Sequence, residues 1–537
     1  MQKRILTCFL IGFLLVTACV PATPRVAPVS TVPVPLSPTP KAAKPVLPWW
    51  REAVFYEIFV RSFYDTDGNG IGDFNGITEK LDYLEELGIN AIWLMPIHPS
   101  PSHHGYDVIN YYAVNSEYGT LEDFKRLLDE AHNRDIRIII DLVINHTSSQ
   151  HPWFGDANNS PESAYRDYYV WSDNEGNGWH QGQSGYYFGH FGGHTPDLNY
   201  NNPTVTVGIL KITDYWLNEI GVDGFRVDAA KHLIEEGPVR ENTPSTHEWY
   251  KEFYIAYKAQ NPEAYAVGEV FGAGASVVKS YTGDQLDQVF NFEMSSGFVN
   301  SANGGSNSGI TSAIKFALQD MPDFNFATFL TNHDQNRAMS VFSGDLGKAK
   351  AVATLLLTSP GTPFIYYGEE IGMQGRKPDE NLRLPMQWSS AANAGFTAGT
   401  PWRRPAADYE QVNVDVQNED PGSLLNHYRE LIRLRRAHQA LSTGEIALIE
   451  TDNPGIYAVL RSAANQKTLV LVNLRGTPIS DYQLSLSESL LTDGTVTPRS
   501  QFGTIDAIPV TISGGKFNEY RPVDELLPYQ SYIFQLE

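Results

Sequence analysis

The chain has 537 residues, with 62 acidic against 39 basic side chains and a formal net charge of −23. So acidic a surface repels phosphate backbones and anionic headgroups, which excludes nucleic acid as a partner and leaves neutral substrates open. The length calls for two or three domains, and a hydrophobic fraction of 42% is ordinary for a globular protein.

The first residues form a targeting segment. Lys3 and Arg4 precede an apolar stretch, Ile5 to Val16, that is short for a bilayer span. The run Leu15-Val16-Thr17-Ala18-Cys19 resembles a bacterial lipoprotein signal, with residues 1–18 removed and Cys19 lipidated; cleavage as an ordinary signal peptide is the alternative. Cys8 would leave with the signal, so the mature chain has no disulfide partner and must rest on its core, with metal as a further aid. Residues 19–48 carry nine prolines and read as a stiff tether, up to roughly 80 Å long at ~3.1 Å per residue, or else as a disordered leader.

From Trp49 onward, apolar strands alternate with amphipathic helices. Strands are expected at Val54–Phe59, Ala91–Met95, Ile138–Ile144, Gly224–Asp228, Tyr265–Glu269, Gln288–Asn291, Ala327–Leu330 and Phe364–Tyr367. Helical patterns include Ile77–Leu87, Leu121–Asn133 and Leu424–Leu441. Eight strand–helix units with continuous apolar runs predict a (β/α)8 barrel, in the segments 49–145 and 203–443. Residues 146–202 form an unusually long connection after the third strand, expected as an inserted domain. Its run Tyr186-Tyr187-Phe188 is either that insertion's own core or an aromatic platform for a substrate. Residues 444–537 read as a C-terminal all-β sandwich expected to pack on the barrel.

Asp65-Thr-Asp67-Gly-Asn69-Gly70-Ile71-Gly-Asp73 places oxygen donors at alternate positions, with the Ile71 carbonyl as a fifth ligand and Gly70 for the sharp turn. That is the ligand order of a calcium loop, although Gly76 occupies the place of the terminal Glu of an EF-hand. His103, His104, His190 and His194 have no spacing suited to zinc, and lining of the site by His104 is the better reading.

Three acids end three strands: Asp228, Glu269 and Asp334. Acids at strand ends of one barrel meet at one mouth, and two carboxyls flanking one bond suffice to cut a glycosidic linkage. Arg226 lies two residues before Asp228, on the same side of the strand, where its charge favours an ionised nucleophile. Glu269 stays protonated if its pocket is drier.

The motifs GDFNGITEKLDYLEELGINAIWLMPI, HGYDV, DLVINH, TPDLN, GFRVDAAKH, GEV, FLTNHD and GTPFIYYGEEIGM occur in that order. Together they resemble the α-amylase superfamily, glycoside hydrolase family 13, from about Trp49 to the C-terminus. The resemblance implies Asp228 as nucleophile, Glu269 as acid–base and Asp334 as a binder of the distorted sugar's hydroxyls. His146 and His333 would contact hydroxyls, Arg226 would support the nucleophile, Tyr106 would stack on the ring, and Asp141 would brace the site. Retention of configuration follows, with the two carboxyls ~5–5.5 Å apart. Asn145 and the His232 carbonyl match a second calcium position. Lys231-His232 resembles the α-amylase pattern that contacts leaving-group glucose. Thr195-Pro-Asp-Leu-Asn199, Arg383-Leu-Pro-Met-Gln-Trp388 and the calcium loop lean toward oligo-1,6-glucosidases and neopullulanases, while Thr195 and Asn110 depart from common residues.

The expectation is a monomeric, calcium-binding endo-acting α-amylase, anchored outside the cell to a lipid bilayer and cutting α-1,4 bonds of starch-like glucans. The alternatives are an α-glucosidase, oligo-1,6-glucosidase or transglycosylase of the same family, and a non-catalytic glucan-binding lipoprotein.

Overall fold

The computed structural model describes residues 47–503 and 505–536. The signal, Cys19 and the tether up to Val46 lie outside the described residues. Eight strands build the central sheet: β1 (Phe55–Ile58), β2 (Ala91–Leu94), β3 (Arg137–Leu142), β4 (Gly224–Val227), β5 (Tyr265–Gly268), β6 (Gln288–Val289), β7 (Ala327–Phe329) and β8 (Thr362–Tyr366). Every strand agrees with its sequence expectation to within two residues at each end.

The order is β7-β8-β1-β2-β3-β4-β5-β6, all parallel, and one parallel bridge between Phe290 and Ala327 brings β6 back to β7. The result is a (β/α)8 barrel filled by its own side chains. Phe55, Trp93, Ile139, Tyr265, Val267, Phe290, Phe329 and Phe364 form that filling, with Phe55 stacked on Phe364 at 4.2 Å. Gly224 is required where β4 meets β5, because a Cβ there would lie 1.9 Å from the Tyr265 carbonyl oxygen.

The outer helices follow the apolar period. Leu121–His132 begins at a capping box between Thr120 and Asp123 and buries Phe124, Leu127, Leu128 and Ala131. The pattern Ile77–Leu87, expected as one helix, is two: Phe74–Glu79 and Leu81–Leu87. The break falls at Lys80, whose ammonium lies over the rings of Tyr64 and Trp388 at 4.0 and 4.5 Å. The Lys80 backbone leaves helical geometry there, at φ −103° and ψ 7°.

The long connection after β3 is not wholly irregular. It holds a helix, Pro152–Asn159, and a small antiparallel sheet of Trp171–Ser172, Tyr186–Phe188 and Trp179–Gln181. Tyr187 and Phe188 are buried, and Tyr187 packs edge-on against Phe154, so most of this aromatic run is the insertion's own core.

Residues 445–535 form antiparallel sheets, the largest joining Glu445–Leu448, Ile456–Ala463, Gln466–Asn473, Ser531–Gln535 and Arg499–Phe502. One face joins the barrel's apolar core through Tyr457, Val459, Val470, Val472 and Ile533. Arg435 and Arg461 are buried in this junction. They donate to the carbonyls of Leu357, Thr358 and Ser359, at the negative end of the helix Leu346–Thr358. Among the described residues no helix is long and apolar enough to cross a membrane.

Candidate active site

The C-terminal ends of the barrel strands open into a cleft of about 1030 Å³. Tyr106, His104, His146, Asp228, Lys231, His232, Glu269 and Asp334, all expected from sequence, line it together. Arg226 and His333 are fully buried just beneath.

Asp228 follows β4 and Glu269 follows β5, so two neighbouring strands present adjacent carboxyls. Directly after Asp228 the chain turns through Ala229 at φ 47°, a left-handed conformation that costs a non-glycine residue of order 1–3 kcal/mol. The turn aims the Ala229 N–H at Glu269 Oε2, 3.2 Å away, while Ala230 N–H reaches the Glu269 carbonyl at 3.0 Å.

One guanidinium organises the carboxylates. Arg226 contacts Asp228 at 2.6 Å and Asp141 at 2.8 Å through one nitrogen, and Glu269 at 2.9 Å through another. Burial pushes the pKa of Asp228 upward even against the pull of Arg226. Desolvation and the guanidinium thus act on Asp228 in opposite directions. Burial likewise raises Glu269, and the charges of Asp228 and Asp334 add to it. Both carboxyls are thus shifted upward by the same dry surroundings, with the Arg226 guanidinium between them opposing the shift.

Asp334 behaves oppositely. Burial works against its charge, but His333 at 3.2 Å and Arg383 at 2.9 Å hold its carboxyl well below the usual range. His333 sits between Asp334 and Glu57, whose Oε1 is 2.5 Å from Nδ1. Burial alone would deprotonate the ring, yet these two carboxylates raise its pKa to about 10. The imidazolium also lies 2.7 Å from the Tyr106 hydroxyl, which donates to Asp141 at 3.0 Å. Trp93, in the barrel filling, donates to the same Asp141 oxygen at 3.2 Å. Asp141 thus links the packed core to the cleft floor.

Burial lowers His104, His146 and His232 to about 4, so these rings are neutral near pH 7 and present both a donor and an acceptor. His232 packs against His190 with centroids 4.1 Å apart and the rings tilted by 31°, and Lys231 pairs with Glu241 at 2.7 Å. Phe191 and Phe271, each about half exposed, also line the cleft.

Three contributors escaped the sequence reading: Glu57, Arg383 and Glu241. A glutamate inside the apolar run of β1 was the available signal for Glu57. Arg383 and Glu241 lie in loops, where no periodicity marks them.

Two clusters have the donors for a hard cation. One carboxylate oxygen from each of Asp65, Asp67 and Asp73 lies within 4.8 Å of the others. Asp65 is fixed by the N–H groups of Gly68 and Gly70 and by the Thr397 hydroxyl, and Asn69 by Ile71 N–H. All-oxygen donors in a turn fit calcium. In the second cluster, Asn145 Oδ1, Asp197 Oδ2 and Glu235 Oε1 are buried without a hydrogen-bond partner. Burial pushes the Asp197 carboxyl well up, and the charge of Glu235 adds to it. Unpaired buried acceptors of this kind match a cation's needs. Asn145 was expected here from sequence; Asp197 and Glu235 were not.

The sequence matches the family described as "Alpha amylase, catalytic domain" over residues 57–444. It is 43% identical over 437 residues to "Alpha-amylase 3" of Dictyoglomus thermophilum, covering 80% of this chain and 85% of that protein. It is 36% identical over 511 residues to an "Oligo-1,6-glucosidase" of Parageobacillus thermoglucosidasius, covering 79% and 90%. The crystal structure of an alpha-amylase from H. orenii superposes with a TM-score of 0.80 at 37% identity, over 90% of this chain and 99% of that one. With its barrel, its three acids in one cleft and these relatives, the chain belongs to the α-amylase family of glycoside hydrolases, family 13.

Proposed function

We propose that this hydrolase cuts internal α-1,4 bonds of starch-like glucans with retention of configuration. Asp228 attacks the anomeric carbon as Glu269 gives its proton to the departing glycosidic oxygen. Glu269, now a carboxylate, takes a proton from water, and that water displaces Asp228. Asp334 holds the hydroxyls of the distorted ring, and Tyr106 supports its apolar face. His104 and His146 offer neutral hydrogen-bonding rings to the sugar. The observation that carries this reading is the single guanidinium of Arg226 bridging Asp228 and Glu269. It fits the close spacing of ~5–5.5 Å that a nucleophile and its acid require.

Endo action draws support from Lys231 and His232, which line the same cleft as Glu269 and resemble the α-amylase pattern that contacts leaving-group glucose. The α-glucosidase, oligo-1,6-glucosidase or transglycosylase reading draws on the relatives named oligo-1,6-glucosidase and on Arg383, which crowds Asp334. A product profile separates them. Soluble starch should yield a spread of short oligosaccharides and a fast fall in polymer size at early times. Glucose alone, released from chain ends, would move the assignment to an α-glucosidase. A non-catalytic glucan-binding lipoprotein would give neither.

We also assign calcium to Asp65, Asp67, Asn69, Ile71 and Asp73, and a second ion to Asn145 and the His232 carbonyl, extended by Asp197 and Glu235. Calcium would supply charge and cross-linking there. At ~100-fold above its Kd, a ligand stabilises the folded state by about 2.7 kcal/mol. Chelation should therefore lower the melting temperature of the wild type, and Asp67→Ala should reduce that calcium dependence. A wild type indifferent to strong chelators, with no calcium by elemental analysis, would retire both sites. Lipidation at Cys19 and a monomeric enzyme at the outer face of a membrane complete the proposal, since starch is too large to enter the cell.

A further inference from the structure

We propose that Trp402 is a positioning residue that ties the 65–73 loop to Asp334, so that the state of that loop sets how firmly the cleft holds its sugar. The inference rests on the reading of Asp334 as a sugar-binding carboxylate.

A continuous set of contacts carries it. The 65–73 loop lies against the segment 396–402. Asp65 N–H donates to the Phe396 carbonyl at 3.0 Å, the Thr397 hydroxyl donates to Asp65, and Trp402 N–H donates to the Gly70 carbonyl at 2.8 Å. The fit is tight: Gly70 has φ +91°, and a Cβ there would lie 1.9 Å from the Thr400 carbonyl oxygen. From Trp402 two contacts run to the cleft. Its indole stacks under His103, which lines the cleft, with centroids 5.8 Å apart at 28°. Its Nε1–H donates to Ser62 Oγ at 3.0 Å, and that hydroxyl donates to the Arg383 carbonyl at 2.6 Å. Arg383 then donates to the His333 carbonyl at 3.1 Å and pairs with Asp334 at 2.9 Å.

The hydroxyl of Ser62 has one proton, directed to Arg383, so its remaining capacity accepts from the indole. Removing the indole N–H leaves the Ser62–Arg383 contact without its lateral support. A bulky residue at position 70 has a different first effect: it separates the loop from Thr400 and Trp402 without touching Ser62 or Arg383. Two unrelated perturbations therefore meet at one contact, the Arg383–Asp334 pair. Coupling between distant sites is commonly about 5–150-fold in affinity, and a bound sugar must tighten the loop's ligand by the same factor.

The test uses the full-length mature protein carrying Glu269→Gln, so that maltotetraose binds without being cut. Calorimetry is run on this parent and on the parent with Trp402→Phe or with Gly70→Ala. Both variants should bind maltotetraose at least fivefold more weakly at unchanged stoichiometry. Loss of folded protein lowers the stoichiometry instead, so the two effects separate, and Trp402→Phe serves if Gly70→Ala fails to fold. Stripping calcium from the parent should weaken sugar binding in the same direction, and Trp402→Phe should blunt that response while still binding calcium. Sugar affinity unchanged in Trp402→Phe overturns the proposal. A parent that binds no calcium overturns the calcium assignment alone, because the variants still report on Trp402. A parent that binds no maltotetraose overturns the glucan reading and this inference with it.

Discussion

Glu269→Gln should lower kcat on maltooligosaccharides by about 10²–10⁴-fold while leaving the fold and the sugar affinity intact. Glutamine keeps the shape of the side chain, and its carbonyl can still accept from Arg226 and from Ala229 N–H, the two contacts that fix Glu269. What it lacks is a proton to give. Burial and the neighbouring carboxylates raise the pKa of Glu269, so the wild type should lose kcat as pH rises through that raised value and the acid form disappears. The variant should lack this basic limb. A glucosyl donor whose leaving group needs no protonation, such as a fluoride, should recover much of the first step. Rates on starch and on the fluoride that fall equally would point to damaged structure, and an unchanged rate on starch would sink the assignment of Glu269.

The sequence made the barrel legible because buried parallel strands must be continuous apolar runs, and runs such as Ile138-Ile139-Ile140 allow little else. Asp228 and Glu269 were legible for a related reason: each interrupts the pattern where a strand ends, whereas Asp334, expected at a strand end, lies in the loop that follows Phe329. Harder to read were groups whose partners come from far along the chain. Glu57 acquires its role only when β7 delivers His333 to within 2.5 Å, across 276 residues. Arg383 sits on an irregular segment and is defined by Asp334, not by its neighbours in sequence. Lys80 kept a helical pattern intact on paper, yet the helix breaks at this residue, whose ammonium lies over the rings of Tyr64 and Trp388. For Asp228 the charge pair with Arg226 is visible in sequence, while the desolvation that opposes it is not. Its environment depends on how completely the insertion and the strand ends exclude water.

Arg226→Met should be the most damaging single change at the site, abolishing turnover and destabilising the fold by about 3–5 kcal/mol near neutral pH. Methionine replaces the volume but leaves Asp141, Asp228 and Glu269 buried without the cation they share. Their folded-state pKa values should then climb further above the unfolded values near ~4. A carboxyl whose folded pKa lies above its unfolded one binds a proton that the unfolded chain has released. Stability therefore falls as pH rises through this window, and the deficit of the variant should be smallest in acid and largest at neutral pH. Denaturant midpoints at about pH 4.5 and 7.5 measure this directly. An equal deficit at both would mean that Arg226 contributes packing and not charge. Arg226→Lys provides the complementary case, since an ammonium supplies the charge without the planar fork. It should recover much of the neutral-pH stability but little of the activity, because one point charge cannot hold Asp228 and Glu269 at fixed separation while also reaching Asp141. If lysine restores both, the site needs only a positive charge. If it restores stability alone, the guanidinium is what sets the distance between nucleophile and acid.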